Sequence, residues 1–290
     1  MTADALLEIS DLSVRARSRT GETEAVRGLD LRVGRGEALG IIGESGSGKS
    51  TTVAALLDLL GPNRRIVSGT MRFDRQLVYG PGVDLRPTLR GRKVGFVFQA
   101  AAASLNPMRR VRSQFAELLG IHLGVSGDAA GRRMHVLLEH LGFDDPRTVL
   151  RSYPHQLSGG MAQRVAIAMA LAGEPSLLVA DEVTSAVDVI TQASVVALLR
   201  RLVSEDGYAL VFVTHDIALA AEICDSLLVL RDGRVVEAGT VEMVVRTPQS
   251  DYTRELIGNV PLLDRSSPPL AASTIGGTQP TTTARVQPSP

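Results

Sequence analysis

The octet Gly43-Glu44-Ser45-Gly46-Ser47-Gly48-Lys49-Ser50 constrains this chain more than any other stretch. It follows a continuous apolar run, Ala38 to Ile42, and opens a segment of helical character. A short apolar run of that kind marks a strand covered on both faces, so strand, tight turn and helix are expected in succession. Small residues let successive backbone N–H groups curl round an anion, and the positive end of the following helix adds to the attraction. In that context the octet reads as a phosphate-binding loop, with Lys49 reaching outer phosphates and Ser50 able to hold Mg²⁺. The competing reading, a flexible Gly-Ser turn, leaves the flanking strand and helix unexplained.

Leu177 to Ala180 and Leu210 to Val213 are further continuous apolar runs, each followed by a helical pattern, whereas Leu7 to Val14 and Ala25 to Val33 alternate apolar and polar residues. These patterns predict two layers of helix over a mostly parallel sheet, with antiparallel strands packed at one side. Between about Gln99 and Tyr153 strand signals vanish, and Val111 to Leu123 and Arg132 to Leu141 carry helical spacing. An inserted helical subdomain at about 100–160 is expected, within one domain spanning 1–260. From 261 to 290 the composition turns to Pro, Ser and Thr, as disordered tails do.

Lysine plus arginine equal aspartate plus glutamate at 31 each, so the chain has no basic field for nucleic acid or an anionic membrane. No apolar run reaches the roughly eighteen residues of a membrane span, and Asp4 and Glu8 stand where a secretory leader is basic and apolar. A soluble protein at the cytoplasmic face is the expectation. Cys224 is the single cysteine and reads as a buried small hydrophobe. His122, His135 and His140 show neither metal spacing nor a carboxylate partner pattern, and are expected at the surface.

Two further segments carry chemistry. Asp181 and Glu182 close the run Leu177 to Ala180, and ligands of an open parallel sheet bind at such strand ends. Asp181 is placed to bind Mg²⁺ through water and Glu182 to orient the attacking water and accept its proton, although the pair also suits an ordinary helix start. Leu157-Ser158-Gly159-Gly160-Met161 opens a helix running to Leu171, with Ser158 as a possible cap and the glycines leaving bare N–H groups for a second anion. Two phosphate-binding surfaces so far apart either fold together or work between two copies.

With these segments the chain resembles the ATP-binding cassette (ABC) ATPases over residues 6 to 257. Phosphate loop, Gln99, Leu157 to Met161, Asp181 with Glu182, Ser185-Ala186-Val187-Asp188 and His215 come in that family's order and spacing. The resemblance implies an α/β fold: a P-loop NTPase core with a mostly parallel sheet, an antiparallel β subdomain and an inserted α-helical subdomain. It implies ATP and Mg²⁺ as ligands. Gly43, Glu44, Ser45, Gly46, Ser47, Gly48, Lys49, Ser50 and Thr51 would hold the phosphates. Ser50, Gln99 and Asp181 would serve the metal, and Glu182, Gln99 and His215 catalysis. Cassettes of this family pack head to tail, so Ser158, Gly159 and Gly160 of one would clamp the γ-phosphate held by Lys49 of another.

Gly40 to Ser45, Ser104-Leu105-Asn106-Pro107, Tyr153 to Met161, Asp188 to Ala193 and Thr247 to Thr253 further resemble the peptide and nickel importer branch. That branch implies a second, different cassette, two membrane permease subunits and an external binding protein. A nickel or metal-chelate importer is the alternative within it. Soluble cassettes of DNA repair or translation are a further reading, but they usually carry a long coiled-coil insertion or two cassettes per chain. A degenerate regulatory cassette conflicts with Lys49, Asp181, Glu182 and His215. Departures from the branch are Ala100 and Ala101 after Gln99, Val183 after Glu182, Val187 before Asp188, and Ala16 where an adenine-stacking aromatic is usual. Arg15 or Arg17 is the candidate substitute for that ring.

Overall fold

Alternation decides the first sheet. In β1 (Ala5–Ser18) Leu7, Ile9, Leu12 and Val14 are buried, and they pair antiparallel with β2 (Gly21–Gly34), Leu7 opposite Val33 and Val14 opposite Val26. The chain then enters β3 (Ala38–Ile42), buried throughout, and α1 (Lys49–Leu56). Three strands that the alternation left unmarked, β4 (Arg64–Phe73), β5 (Gln76–Gly80) and β6 (Val83–Asp84), complete an antiparallel sheet in the order β2-β1-β4-β5-β6. The computed structural model describes residues 5–18, 21–99, 101–185 and 188–258. Ala100, the side chain of Ala101, Ala186 with Val187, and the tail from 261 lie outside this description.

The second sheet adds β7 (Val94–Val97), β8 (Leu177–Asp181), β9 (Ala209–Thr214), β10 (Ser226–Arg231) and β11 (Arg234–Thr240), in the order β11-β10-β3-β9-β8-β7. Every neighbouring pair is parallel except β10 with β11. The carboxyl ends of β3, β7, β8 and β9 therefore meet at one edge, where Gly43, Gln99, Glu182 and His215 follow their strands.

The helical insert comprises α2 (Val111–Leu123), α3 (Gly127–His140) and α4 (Pro146–Arg151). Phe115, Leu119, Met134, Leu138 and Val149 join one core with α5 (Gly159–Leu171). Full burial of such side chains is worth about 1.5–3 kcal/mol each. The remaining helices are α6 (Val189–Ser204), α7 (Ile217–Ile223), α8 (Val241–Arg246) and α9 (Asp251–Gly258). A separate core of Leu6, Leu12, Leu29, Ile41, Met71 and Val211, among others, joins the two sheets. No helix among the described residues is long and apolar enough to cross a membrane.

Two histidines depart from expectation. His135 Nε2 lies 3.3 Å from Glu139 Oε1, and His140 Nε2 lies 2.7 Å from Asp206 Oδ2. The first pair follows from four-residue spacing on one helix face. The second is made by the fold, because Asp206 arrives at the end of α6, 66 positions later. Among the described residues no cluster of three metal-ligating side chains exists. Cys224 is buried, and desolvation pushes its thiol pKa up.

Candidate active site

The phosphate loop is shaped by two close backbone approaches. Gly43 has φ 152°, and a β-carbon there would stand 2.2 Å from the Leu230 carbonyl oxygen. Gly48 has φ 107°, and a β-carbon would stand 2.7 Å from the Ala25 carbonyl oxygen. Neither position admits a side chain without displacing backbone. As N-cap of α1, Gly48 supplies no capping side chain to the first turn, Lys49-Ser50-Thr51. Lys49 is 4% exposed. Its ammonium donates to the carbonyls of Gly43 at 2.6 Å and Glu44 at 2.8 Å. Burial lowers its pKa, against the opposing charges of Glu182, Asp181 and Glu44. The Ser47 hydroxyl is buried without a hydrogen-bond partner among the described residues. A small-residue cradle with a buried cation and an unpartnered hydroxyl fits a nucleotide phosphate chain.

The paired carboxylates differ in environment. Asp181, at the end of buried β8, accepts a hydrogen bond from Ser50 Oγ at 3.3 Å. Burial raises its pKa, the Ser50 hydrogen bond lowers it, Glu182 raises it and Lys49 lowers it, with a net rise. A serine hydroxyl beside a carboxylate is a hard-oxygen donor set of the kind Mg²⁺ takes. Glu182 adopts φ 47°, a left-handed conformation that costs about 1–3 kcal/mol in a non-glycine residue. Its N–H donates to Val213 O at 2.9 Å, and Ser185 Oγ donates to its carbonyl at 2.9 Å. Gln99 Nε2 donates to Glu182 Oε2 at 3.2 Å, and His215 Nδ1 stands 3.5 Å from Oε1. Three strand ends thus converge on one carboxylate.

Ser158 is the N-cap of α5 and accepts from Met161 N–H at 3.3 Å. A β-carbon on Gly160 would approach Thr191 Cγ2 at 3.1 Å, and Thr191 Oγ1 in turn donates to Asp188 Oδ2 at 2.7 Å. Among the described residues no hydrogen bond or ion pair joins Ser158, Gly159 or Gly160 to Lys49, Glu182 or His215. The sequence reading passed over Gln163, which is 2% exposed on apolar α5 and donates through Nε2 to Val183 O at 2.6 Å. A lone amide on an apolar helix face was the available signal.

Ala16 lies on β1 opposite Thr23 and Arg64. Arg15 is engaged by Glu22 at 3.4 Å and Glu24 at 3.5 Å, a placement set by the β1–β2 register. As a stand-in for the missing ring it would have to leave both carboxylates.

The raised Asp181 pKa carries a stability prediction. The folded state holds this proton more tightly than the unfolded chain, so stability falls as pH rises from the unfolded value through the folded one. Asp181→Asn is expected to raise Tm at neutral pH while weakening Mg²⁺-dependent nucleotide binding. Thermal melts from pH 4 to pH 8 check it, because the gain should vanish at the acid end.

Residues 26–185 match the family model described as "ABC transporter". The "Oligopeptide transport ATP-binding protein OppD" of Lactococcus lactis subsp. cremoris is 38% identical over 261 residues, covering 90% of this chain and 77% of that protein. The protein of the same description from Escherichia coli is 41% identical, covering 90% and 77%. The "Dipeptide transport ATP-binding protein DppD" of Haemophilus influenzae is 39% identical, covering 89% and 78%. Among solved structures, a dimeric ATP-binding cassette in a post-hydrolysis state with ADP and Pi superposes with TM-score 0.70 at 30% identity, covering 81% of this chain and 98% of that one.

Proposed function

Because the chain belongs to the ABC transporter family, we propose that it is the ATPase subunit of an importer for peptides or related small solutes, hydrolysing ATP at the Gly43–Thr51 loop. The single observation that carries the chemistry is Glu182, held between Gln99 and His215 and one residue from Asp181. Its side chain is flanked by Gln99 and His215, and its charge acts on Lys49 of the loop. Glu182 takes the proton of the attacking water, His215 holds the carboxylate's outer side, and Lys49 carries the charge of the outer phosphates. Mg²⁺ held by Ser50 and Asp181, with Gln99 beside them, would supply neutralisation of phosphate charge. The names of the relatives support the peptide class, and the dimeric state of the solved neighbour supports action in a pair.

A groove of about 460 Å³ supports the membrane partner. It runs between β7 and α2 and exposes Leu59, Phe98 and Ile121 at 39%, 49% and 68%. Phe98, which lines the groove, immediately precedes Gln99, whose amide donates to Glu182. The occupant we assign is a short amphipathic segment on the cytoplasmic side of a permease subunit; another solved neighbour, CbiO1 of Clostridium perfringens, is described as part of an ABC transporter complex. The assembly would contain two cassettes, two permease subunits and, outside, a binding protein, with this chain peripheral at the inner membrane face. In proteoliposomes holding that assembly, labelled oligopeptide uptake should require ATP. Ile121→Glu should cut uptake about tenfold while the isolated chain hydrolyses ATP within twofold of wild type. Unchanged uptake would remove the groove from the docking surface, and uptake of nickel chelates in place of peptides would reassign the substrate.

A further inference from the structure

Tyr252 stands in the first turn of α9, 4% exposed, and its phenolic oxygen accepts a hydrogen bond from Glu44 N–H at 3.0 Å across 208 positions of sequence. The Glu44 N–H belongs to the same peptide unit as the Gly43 carbonyl, and that carbonyl receives the Lys49 ammonium at 2.6 Å. One planar group is therefore gripped at both ends, by Lys49 on its oxygen and by Tyr252 on its nitrogen. We infer that Tyr252 is a positioning residue for ATP binding, fixing the Gly43–Glu44 peptide plane and through it the seat of Lys49.

Tyr252 is itself held. The Arg231 guanidinium lies 4.7 Å from the ring centroid, at the end of the strand whose Leu230 carbonyl closes on Gly43. Just ahead of α9, the Glu237 carboxylate accepts from the N–H groups of Gln249 at 2.8 Å and Ser250 at 3.1 Å. Arg254 donates to Pro248 O at 2.8 Å and Gln249 O at 3.2 Å. The segment is latched to β11, and the latch ends in one hydroxyl at the phosphate loop. Burial raises the Tyr252 pKa, so the phenol stays neutral in the physiological range.

A ring that merely packs would serve equally well as phenylalanine, which separates the two roles. This inference rests on the loop binding ATP, and wild-type MgATP affinity tests that first; absence of binding would sink the loop assignment and not Tyr252. Given wild-type binding, the full-length Tyr252→Phe chain should bind MgATP about three- to tenfold more weakly, the cost of one hydrogen bond partly replaced by water. Turnover at saturating ATP should stay within about twofold and Tm within roughly 3 °C. In a Lys49→Met background the same substitution should change affinity by less than about 1.5-fold, because coupled groups are non-additive. Equal affinities of wild type and Tyr252→Phe, or an undiminished effect in the Lys49→Met background, would overturn the inference.

Discussion

ATP turnover by the Glu182→Gln variant is expected to fall about 10²–10⁴-fold, with MgATP affinity changed by less than about threefold. The amide has the shape of the carboxylate, so Gln99 can still donate to an oxygen at this position and His215 keeps its neighbour. What is lost is a group able to take a proton from water. Loop, lysine and Asp181 are untouched, so the variant should accumulate as an ATP-loaded dimer. Phosphate release and light scattering with ATP check both halves, provided any co-purifying ATPase is removed. Wild-type turnover in a clean preparation would strip Glu182 of its role.

Ser158→Arg should abolish the dependence of turnover on protein concentration while leaving monomeric ATP binding within about twofold. Ser158 caps α5, and among the described residues no hydrogen bond joins it to the Gly43–Thr51 loop, so under the proposed action in a pair it would meet the loop of a second cassette. Loss of the cap costs about 0.5–2 kcal/mol, which a domain of this size tolerates. A guanidinium buried unpaired in the closing interface costs several kcal/mol, enough to reduce the closed dimer about 10²-fold or more. Loss of ATP binding by the monomeric variant would show that Ser158 acts within its own chain.

Three of the four strands that deliver the site were legible because each is an uninterrupted apolar run: Ala38 to Ile42, Leu177 to Ala180 and Leu210 to Val213 fall inside β3, β8 and β9. β10 carries the same mark in Leu227 to Leu230 and was passed over, whereas β4 and β7 lack it. β4 is interrupted by Gly69 at φ 114°, and β7 is four residues long with Gly95 pressed under α5, where a β-carbon would meet Ala170 O at 2.4 Å. Apolar runs placed Glu182 and His215 at strand ends and the family resemblance singled out Gln99, but their convergence on a single carboxylate is set by the order β9-β8-β7, which local periodicity does not encode. The left-handed Glu182 backbone was equally hidden, since it depends on β9 and Ser185. Tyr252 lay beyond reach for the same reason: nothing near it in sequence refers to Glu44.

The place of β3 in its sheet has a consequence for biosynthesis. Its two neighbours are β9 and β10, and the N–H of Ala38, at its first residue, is held by the carboxylate of Asp225, 187 positions later. Long-range pairings of this kind form late, because loop closure must precede the contacts that reward it. On the ribosome the strand that bears the phosphate loop therefore waits, unpaired in this sheet, until most of the chain has emerged, and Glu44 waits longer still for Tyr252. A chain that stops short of β9, β10 and Tyr252 lacks the contacts that hold this loop in place, so the nucleotide site waits on residues 209–252.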